Sequence, residues 1–449
     1  MRTLKDLHHI HHSTESGINI YILDKWEVID SEAEAMLQAL HSRSTWWIKE
    51  HLKVLEEKGA ENFMSKFYVW YGHKSIWDCG SITLFIEWLS MLWAKVIQDT
   101  KLYNWQEAST RYIDFSKQLI LNPLWNNHGK EIQEKQRTFY LNLLPKLFNH
   151  LKNVFPKKDW QDDKMYNNSL KAQSFDIARW FLPAGCSTNL ARHTNLRQVA
   201  DRITYLRHHP LKEIQEIAKT LLNAVLEKYP NSFSSKTYEE TETYLSNTIS
   251  KNYYLHYKNQ KQFQITRDTI DTKKLHEMKM LFNSRPNNKT ELPHYLDMLW
   301  TISCTYLLDF WSFRDVQRHR APFQRMPLLT MEYWFNERYL NCLPENLLEE
   351  SKNYLHDLEK TINSLSLTEE QKQYYIPMWY NITCEMMGTL PALIYLVELR
   401  STTYVHPTLR KIAIQLWKYI QDTHDIKIFI DESEDLLDIR RGNHTIKVK

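Results

Sequence analysis

The stretch Asn104-Trp105-Gln106-Glu107-Ala108-Ser109-Thr110-Arg111-Tyr112-Ile113-Asp114-Phe115-Ser116 follows a long apolar run, and the rest of the chain is read from it. It places Glu107, Ser109 and Arg111 at i, i+2 and i+4. A continuous helix does not aim all three one way, because only i, i+3 and i+4 share a helical face. A turn or an extended piece puts alternate side chains on one side. A carboxylate, a hydroxyl and a fixed cation converging there suit a phosphorylated, hydroxylated ligand such as a nucleotide.

Similar chemistry recurs on either side. Tyr71-Gly72-His73-Lys74-Ser75-Ile76-Trp77-Asp78-Cys79 precedes the apolar, aromatic run Ser81 to Gln98. Read alone, it serves equally well as a Gly turn into the next element. Ala178-Arg179-Trp180-Phe181-Leu182-Pro183-Ala184-Gly185 is followed by Thr194-Asn195-Leu196-Arg197, Asp201 and Leu206-Arg207. Arg192, Arg197, Arg202 and Arg207 also fit a solvated basic helix face, although the Arg-Pro-Asn-Arg spacing is not a generic helix property. Far downstream, Tyr295 to Phe313 repeats the character of 81 to 98 and leads into Arg314-Asp315-Val316-Gln317-Arg318-His319-Arg320. Two guanidiniums flanking an imidazole offer several donors to a pyrophosphate or a heterocycle carbonyl. The run Pro377 to Leu399 ends in Glu398-Leu399-Arg400, then Val405-His406-Pro407; the earlier run has Tyr205-Leu206-Arg207, then His209-Pro210. Pro377 to Arg400 is 23 residues and Pro183 to Arg207 is 24, the clearest trace of internal duplication, with Arg400 as counterpart of Arg207.

Glu107, Ser109, Arg111 and Tyr112 resemble the second half of the signature of the flavin-dependent thymidylate synthases, R-H-R-x-x-S-x-N-E-x-S-x-R-Y. The first half is gone at that place, where Asp99-Thr100-Lys101 stand, and it reappears as Arg318-His319-Arg320. There the downstream half is lost, with Met326, Leu328, Thr330 and Met331 in place of Glu, Ser, Arg and Tyr. The chain is thus identified as two diverged copies of one family domain, each keeping a different half of one site. His73 and Ser75 match the family's H-G-H-x-S-P-F-E-H, with Trp77-Asp78-Cys79 replacing F-E-H. Arg179 to Pro183, Asn195 and Arg197 match its A-R-x-x-L-P and N-x-R, while Arg207 falls one residue late. The second copy has no basic match for these; Thr389 and Pro391 stand in that region.

The resemblance implies an α+β, mostly helical fold, each copy a small antiparallel sheet packed with helices. Boundaries are expected at 1–235 for the first copy, 236–272 for a polar junction and 273–449 for the second copy. Local signals add a strand and turn over 18–29, a helix over Ser31 to Leu55 with Ser31 as its cap, and two helices in 117–170, the second from Lys135 to Val154. An amphipathic helix is expected over Pro344 to Leu365, and a closing hairpin over 426–447.

Composition bounds the rest. The 449 residues suffice for two or three domains, and a net charge of +3 gives no argument for nucleic acid. Eight glycines against 16 tryptophans and 25 tyrosines fit a helical protein with thick aromatic packing. The five cysteines are far apart without a C-x-x-C pair, so free thiols are expected and no metal site. No apolar run is long enough for a membrane span and the N-terminus lacks a signal-peptide core, so a cytoplasmic protein is expected. No phosphate loop of the Walker or dinucleotide type occurs. Such a residue set binds and positions, and a cofactor supplies the hard chemistry.

By position, the resemblance implies that Glu107, Ser109, Arg111 and Arg179 hold the nucleotide and that Arg207 or Arg400 polarises its ring. His73, Ser75, Asn195, Arg197, Arg318, His319 and Arg320 would hold FAD. The implied reaction is reductive methylation of dUMP to dTMP with methylenetetrahydrofolate, FAD and NADPH. The family builds each site at a homotetramer interface. A fused duplicate is expected to form a homodimer with one composite site per chain from both halves. The other readings are a non-catalytic nucleotide- or flavin-binding descendant, a related flavin and folate enzyme on another pyrimidine, and a helical scaffold without ligand.

Overall fold

A computed structural model describes residues 9–23, 30–42, 48–59, 74–108, 115–124, 126–157, 159, 162–287, 290–403 and 405–432. The first elements are β1 (His9–Ser13), β2 (Asn19–Leu23), α1 (Ser31–His41), α2 (Ile48–Lys58), β3 (Ser81–Ser90), α3 (Met91–Ile97) and β4 (Asn104–Glu107). Then come α4 (Asn127–Val154), α5 (Asp163–Ala178), β5 (Ser187–Asn195), α6 (Leu196–Leu206), α7 (Lys212–Lys228) and α8 (Glu239–Tyr254). The last are β6 (Phe263–Asp268), α9 (Thr272–Asn283), β7 (Thr301–Asp309), α10 (Phe310–Val316), β8 (Phe323–Arg325), α11 (Glu345–Ser364), β9 (Asn381–Thr389), α12 (Leu390–Arg400) and α13 (Pro407–His424). The fold is α+β and mostly helical, with two antiparallel sheets.

Two compact units result, one of Met1–Thr110 with Ser187–Tyr253, the other of Arg111–Cys186 with Tyr254–Lys449. They cut the chain differently from the boundaries 1–235, 236–272 and 273–449, because the helical segment of the first copy packs with the second sheet.

In the first unit the sheet runs β1-β2-β3-β5-β4. Strand β3 alternates Ile82, Leu84 and Ile86 inward with Ser81, Thr83 and Phe85 on the other face, the period of a half-buried strand. A bulge at Trp88, with φ 68°, interrupts its ladder with β5. Ser90 ends the strand and caps α3 by accepting from the Trp93 N–H at 3.1 Å. Asn195 likewise caps α6 through the Gln198 N–H at 2.9 Å.

In the second unit the sheet runs β6-β7-β9-β8, the order of β2-β3-β5-β4 in the first. The parallel extends to register. Ser90 pairs with Ser187 as Asp309 pairs with Asn381, and Ser81 with Asn195 as Thr301 with Thr389. Helices α3 and α10 are each 7 residues long, and α6 and α12 each 11. Trp88 is the one inserted residue between these ladders. The chain is therefore a tandem, diverged duplication.

The segment from α4 to Cys186 joins the second unit through an aromatic core. Trp180 lies against Tyr339 and Trp379 with ring centres 4.0 and 5.1 Å away, Phe181 stacks on Phe335, and Phe139 stacks on Tyr354 at 3.7 Å. Each fully buried aromatic side chain contributes roughly 2 kcal/mol of apolar transfer. The two matching prolines meet here, Pro183 bridging antiparallel to Pro377, with Ala184 N–H donating to the Ile376 carbonyl and Met378 N–H to that of Leu182.

Several expectations need correction. Asp30, and not Ser31, caps α1 by accepting from the Ala33 N–H, which leaves the Ser31 hydroxyl to bond the Ser81 carbonyl and Tyr229. The helical pattern of 31–55 is two helices, with 43–47 outside the described residues. The helix placed at Lys135 begins at Asn127, because Asn126 caps it through the Gly129 N–H. The polar stretch 236–272 contains α8 and β6. Strand β6 lies at the sheet edge with alternate residues exposed, so it left little apolar periodicity to read. Among 426–432 there is no strand, and the remainder of that expected hairpin lies outside the described residues.

Candidate functional site

Helix α10 ends at Val316, and Gln317 and Arg318-His319-Arg320 follow directly. Helix α12 ends at Arg400. The fold brings these two ends together. Arg400 Nε donates to His319 Nε2 at 2.8 Å, and its Nη2 donates to the Asp315 carbonyl at 2.8 Å. Among the described residues its Nη1 has no hydrogen bond. Burial, and then the Arg400 charge, push the His319 pKa down to about 3. The imidazole is therefore neutral, and with Nε2 accepting, Nδ1 carries the proton and is a donor. Arg318 is more than half exposed and reaches Asp315 at 3.3 Å; Arg320 is exposed. Arg318, His319, Arg320 and Arg400 gather beside Asp315 and make this loop rich in donors.

Arg179 lies in the same unit. It is 4% exposed, pairs with Asp176 at 2.7 Å and lies over the Trp311 ring at 5.1 Å. Trp311 is on α10, seven residues before Arg318, about 10 Å along a helix axis. A first-copy arginine is thus packed on the second-copy helix that carries Arg-His-Arg.

The first unit treats its candidates differently. Glu107 ends β4 opposite Leu190 and accepts from Gln98 Nε2 at 3.3 Å, so the start of the motif is extended as expected. Asn195 and Arg197 both donate to Asp78 Oδ1, at 3.3 and 2.6 Å. Arg207 is held by Glu242 from α8, which also takes His208 Nε2 at 3.0 Å. Ser75 is exposed on a short helix, Lys74–Trp77. His73, Ser109 and Arg111 lie outside the described residues.

Register also settles which residues correspond. Arg400 is the last residue of α12, whereas Arg207 is the cap after α6, so Arg400 matches Leu206 and Arg207 matches Ser401. Arg400 was read from the sequence as the counterpart of Arg207; the helices are displaced by the one residue by which Arg207 falls late. Asp99-Thr100-Lys101 follow α3 as Arg318-His319-Arg320 follow α10, with Gln98 and Gln317 the caps between. Gln373, buried and bonded to Leu329, stands in the second copy where the first has Arg179. Sequence reasoning missed Asp78, Asp315 and Glu242. Their only signal was a carboxylate in or beside a basic motif, which spacing alone does not pair.

Among the described residues no group of His, Cys, Asp and Glu could hold a metal, and no helix is long and apolar enough to cross a membrane. The cysteines are free thiols, three of them buried.

Residues 22–231 match the family model described as thymidylate synthase complementing protein. Over longer spans the chain is similar to a UPF0159 protein of Chlamydia muridarum, 23% identical with 84% of this chain and 82% of that protein aligned. It is also similar to a UPF0159 protein of Chlamydia pneumoniae, at 25% identity over 80% of this chain and 77% of the other. A third, from Thermoplasma acidophilum, is 21% identical over 88% and 92% of the two chains. These alignments run beyond residue 231, so the relatives share the second half as well.

Proposed function

From a chain that belongs, through residues 22–231, to the thymidylate synthase complementing protein family, we propose a flavin-dependent thymidylate synthase with one composite site per chain. The substrate is dUMP, the one-carbon donor methylenetetrahydrofolate and the reductant NADPH. Arg179 with Glu107, Ser109 and Arg111 holds the nucleotide. Arg400 polarises the pyrimidine, its guanidinium aimed by the neutral His319 ring and the Asp315 carbonyl. Arg318, His319 and Arg320 present the donors that fit FAD's pyrophosphate and ring carbonyls. FAD, when bound, supplies the hydride that completes the methyl group. The chain's own part is to fix the phosphate, orient the ring and withdraw electrons from its carbonyl.

The observation that carries this reading is the packing of Arg179 on the helix that leads into Arg318-His319-Arg320, next to which Arg400 is held. On this reading the half missing from one copy is supplied by the other. The assembly expected is a homodimer in the cytoplasm.

A second reading, a non-catalytic nucleotide- or flavin-binding descendant, is favoured by the carboxylates already on the first-copy motif. Asp78 holds Asn195 and Arg197, so the N-x-R donors already have a partner within the chain. Titration of the purified chain with FAD, with and without dUMP, followed by tritium release from labelled dUMP, separates the two. Flavin bands shifted by dUMP together with tritium release are expected. Stabilisation by dUMP without any FAD response would sink the enzyme reading.

A further inference from the structure

Beneath α6 and α8 the first unit buries a group of cations that the proposed reaction does not use. Arg192, on β5, is 1% exposed and Arg202, on α6, 6%. Each turns one side to the end of α3. Arg192 Nη1 donates to the Ile97 carbonyl at 3.3 Å, and Arg202 donates to the carbonyls of Val96 and Asp99. Arg192 Nε and Nη2 and Arg202 Nε are buried without a partner among the described residues. His209, fully buried, accepts from the Leu211 N–H on Nδ1 at 3.0 Å, so its proton is on Nε2, which is also unpartnered. Burial, Lys95 and Arg202 all hold His209 far below the ordinary imidazole pKa, so it is neutral. Lys95 is buried beside them with Asp99 at 3.0 Å. Among the described residues the group sets Arg192, Arg202 and Lys95 beside Asp99, and the unsatisfied atoms of Arg192, Arg202 and His209 are all donors, a costly state for an interior.

The fold does not require it. Met386 and Leu396 occupy the matching positions of β9 and α12, and both are buried. Apolar side chains fill this space in the second copy, so the arginines answer to something besides packing.

We propose that Arg192, Arg202 and His209 form an oxyanion site for a phosphate group, covered by α8 as a lid. The lid is lightly held. Its buried residues are Ile249 and Tyr253. Tyr253 stacks edge-on to His209 at 4.1 Å and bonds the Tyr205 hydroxyl at 3.2 Å, and Tyr205 lies under Arg202. At the other end Glu242 grips Arg207 and His208, a carboxylate lying on the basic rim in the way that a ligand oxyanion would. Phosphate, an acceptor of several hydrogen bonds, matches the unsatisfied donors of Arg192, Arg202 and His209. Inorganic phosphate and the monoester of a nucleotide share this chemistry.

The test uses the full chain at constant ionic strength, with phosphate replacing chloride. Phosphate is expected to raise the unfolding temperature by several degrees. Glu242→Gln, which loosens the lid, is expected to lower the half-saturating phosphate concentration about tenfold. Arg192→Met, carrying the residue of the second copy, is expected to remove the shift. With dUMP as probe, a shift that Arg192→Met also removes makes the nucleotide monoester the source; a dUMP shift that survives belongs to the other site, and inorganic phosphate is then the source. No phosphate shift in either wild type or Glu242→Gln overturns the proposal, as does a shift that persists in Arg192→Met. Should that variant not fold, hydrogen exchange in wild type decides: phosphate-dependent protection over 196–209 and 239–254 supports the site, and its absence overturns it. Failure here leaves the FAD titration untouched, since the two use different residues.

Discussion

The two sheets share strand order and register, yet charge is placed in opposite ways around them. After α3 the loop is Asp99-Thr100-Lys101, and two buried arginines bond the carbonyls of Ile97 and Asp99 from within. After α10 the loop is Arg318-His319-Arg320, the interior is Met386 and Leu396, and the arginines face outward. At these matched positions one copy buries cations where the other buries apolar side chains, although the second unit buries Arg285, Arg314, Arg325 and Arg410 elsewhere. The same backbone thus supports a closed half and a ligand-facing half, because register and caps, and not the charges, hold the fold. The first-copy basic residues Arg197 and Arg207 rest on internal carboxylates, whereas Arg400 rests on a neutral ring and a carbonyl.

The largest break of symmetry is expected at the helix ends. Arg400→Leu, which installs the Leu206 equivalent, should lower kcat/KM on dUMP on the order of a thousandfold, the scale for removing one pre-aimed donor. Arg207→Leu should lower it less than about threefold, given its bond to Glu242. Equal losses in both variants, read from initial rates, would show that the two halves are not divided as described.

A second contrast lies in the core. Ser90 donates to Glu213 Oε2 at 2.7 Å from the cap of α3 to the first turn of α7. In the second unit the pair is reversed. Thr408, in the first turn of α13, donates at 2.7 Å to Asp309, the cap of α10. Hydroxyl and carboxylate have exchanged sides of one contact. Glu213→Thr alone strands Ser90 and should destabilise by about 3 kcal/mol in urea unfolding. The double change Ser90→Asp with Glu213→Thr copies the other half and should recover at least half of that loss. A double variant as unstable as the sum would mean that the contacts are unrelated.

The reversal also predicts a pH response. Burial raises the Asp309 pKa to about 7 despite bonds from Ser312 and Thr408. A carboxyl raised on folding contributes stability that is full below its unfolded pKa and is lost as pH rises through the folded one. Wild type should therefore lose about 2 kcal/mol relative to Asp309→Asn between pH 5 and 7. Asparagine keeps an acceptor for the Ser312 N–H, so it isolates the charge. A constant gap across that range would remove the titration from Asp309.

Much of this was legible in advance, for physical reasons. The resemblance implied a strand and then a helix over 81–98, and the structure has both there and again in the second copy as β7 and α10. Arg318-His319-Arg320 and Arg400 were flagged separately, and folding joined them. What spacing did not show was partner choice: Asp78 and Glu242 lie close to basic residues only after helices are packed. A solvated basic face was one reading of Arg192 and Arg202, yet both are buried, Arg192 on a strand and Arg202 on a helix, because depth is set by packing and not by spacing. The unit boundary was equally hidden, since aromatic contacts such as Phe181 with Phe335 join residues far apart in sequence.

The smallest difference between the halves is one residue, and it can be measured directly. Trp88 sits at φ 68° in the bulge of β3, with its N–H bonded to Asn189 Oδ1 at 3.0 Å. Strand β7 has no such insertion in its ladder with β9. A non-glycine residue held there stores on the order of 1 kcal/mol of strain. Its side chain is 49% exposed, so little packing offsets that. Trp88→Gly should therefore stabilise the fold by about 0.5 kcal/mol, the strain relieved less the lost contact and the added chain entropy. Asn189→Ala removes the bond that holds the bulge and should cost about 1 kcal/mol. If glycine destabilises by more than that, the tryptophan packs on something that matters, and the bulge belongs to the first copy's function and not to drift between two otherwise matching strands.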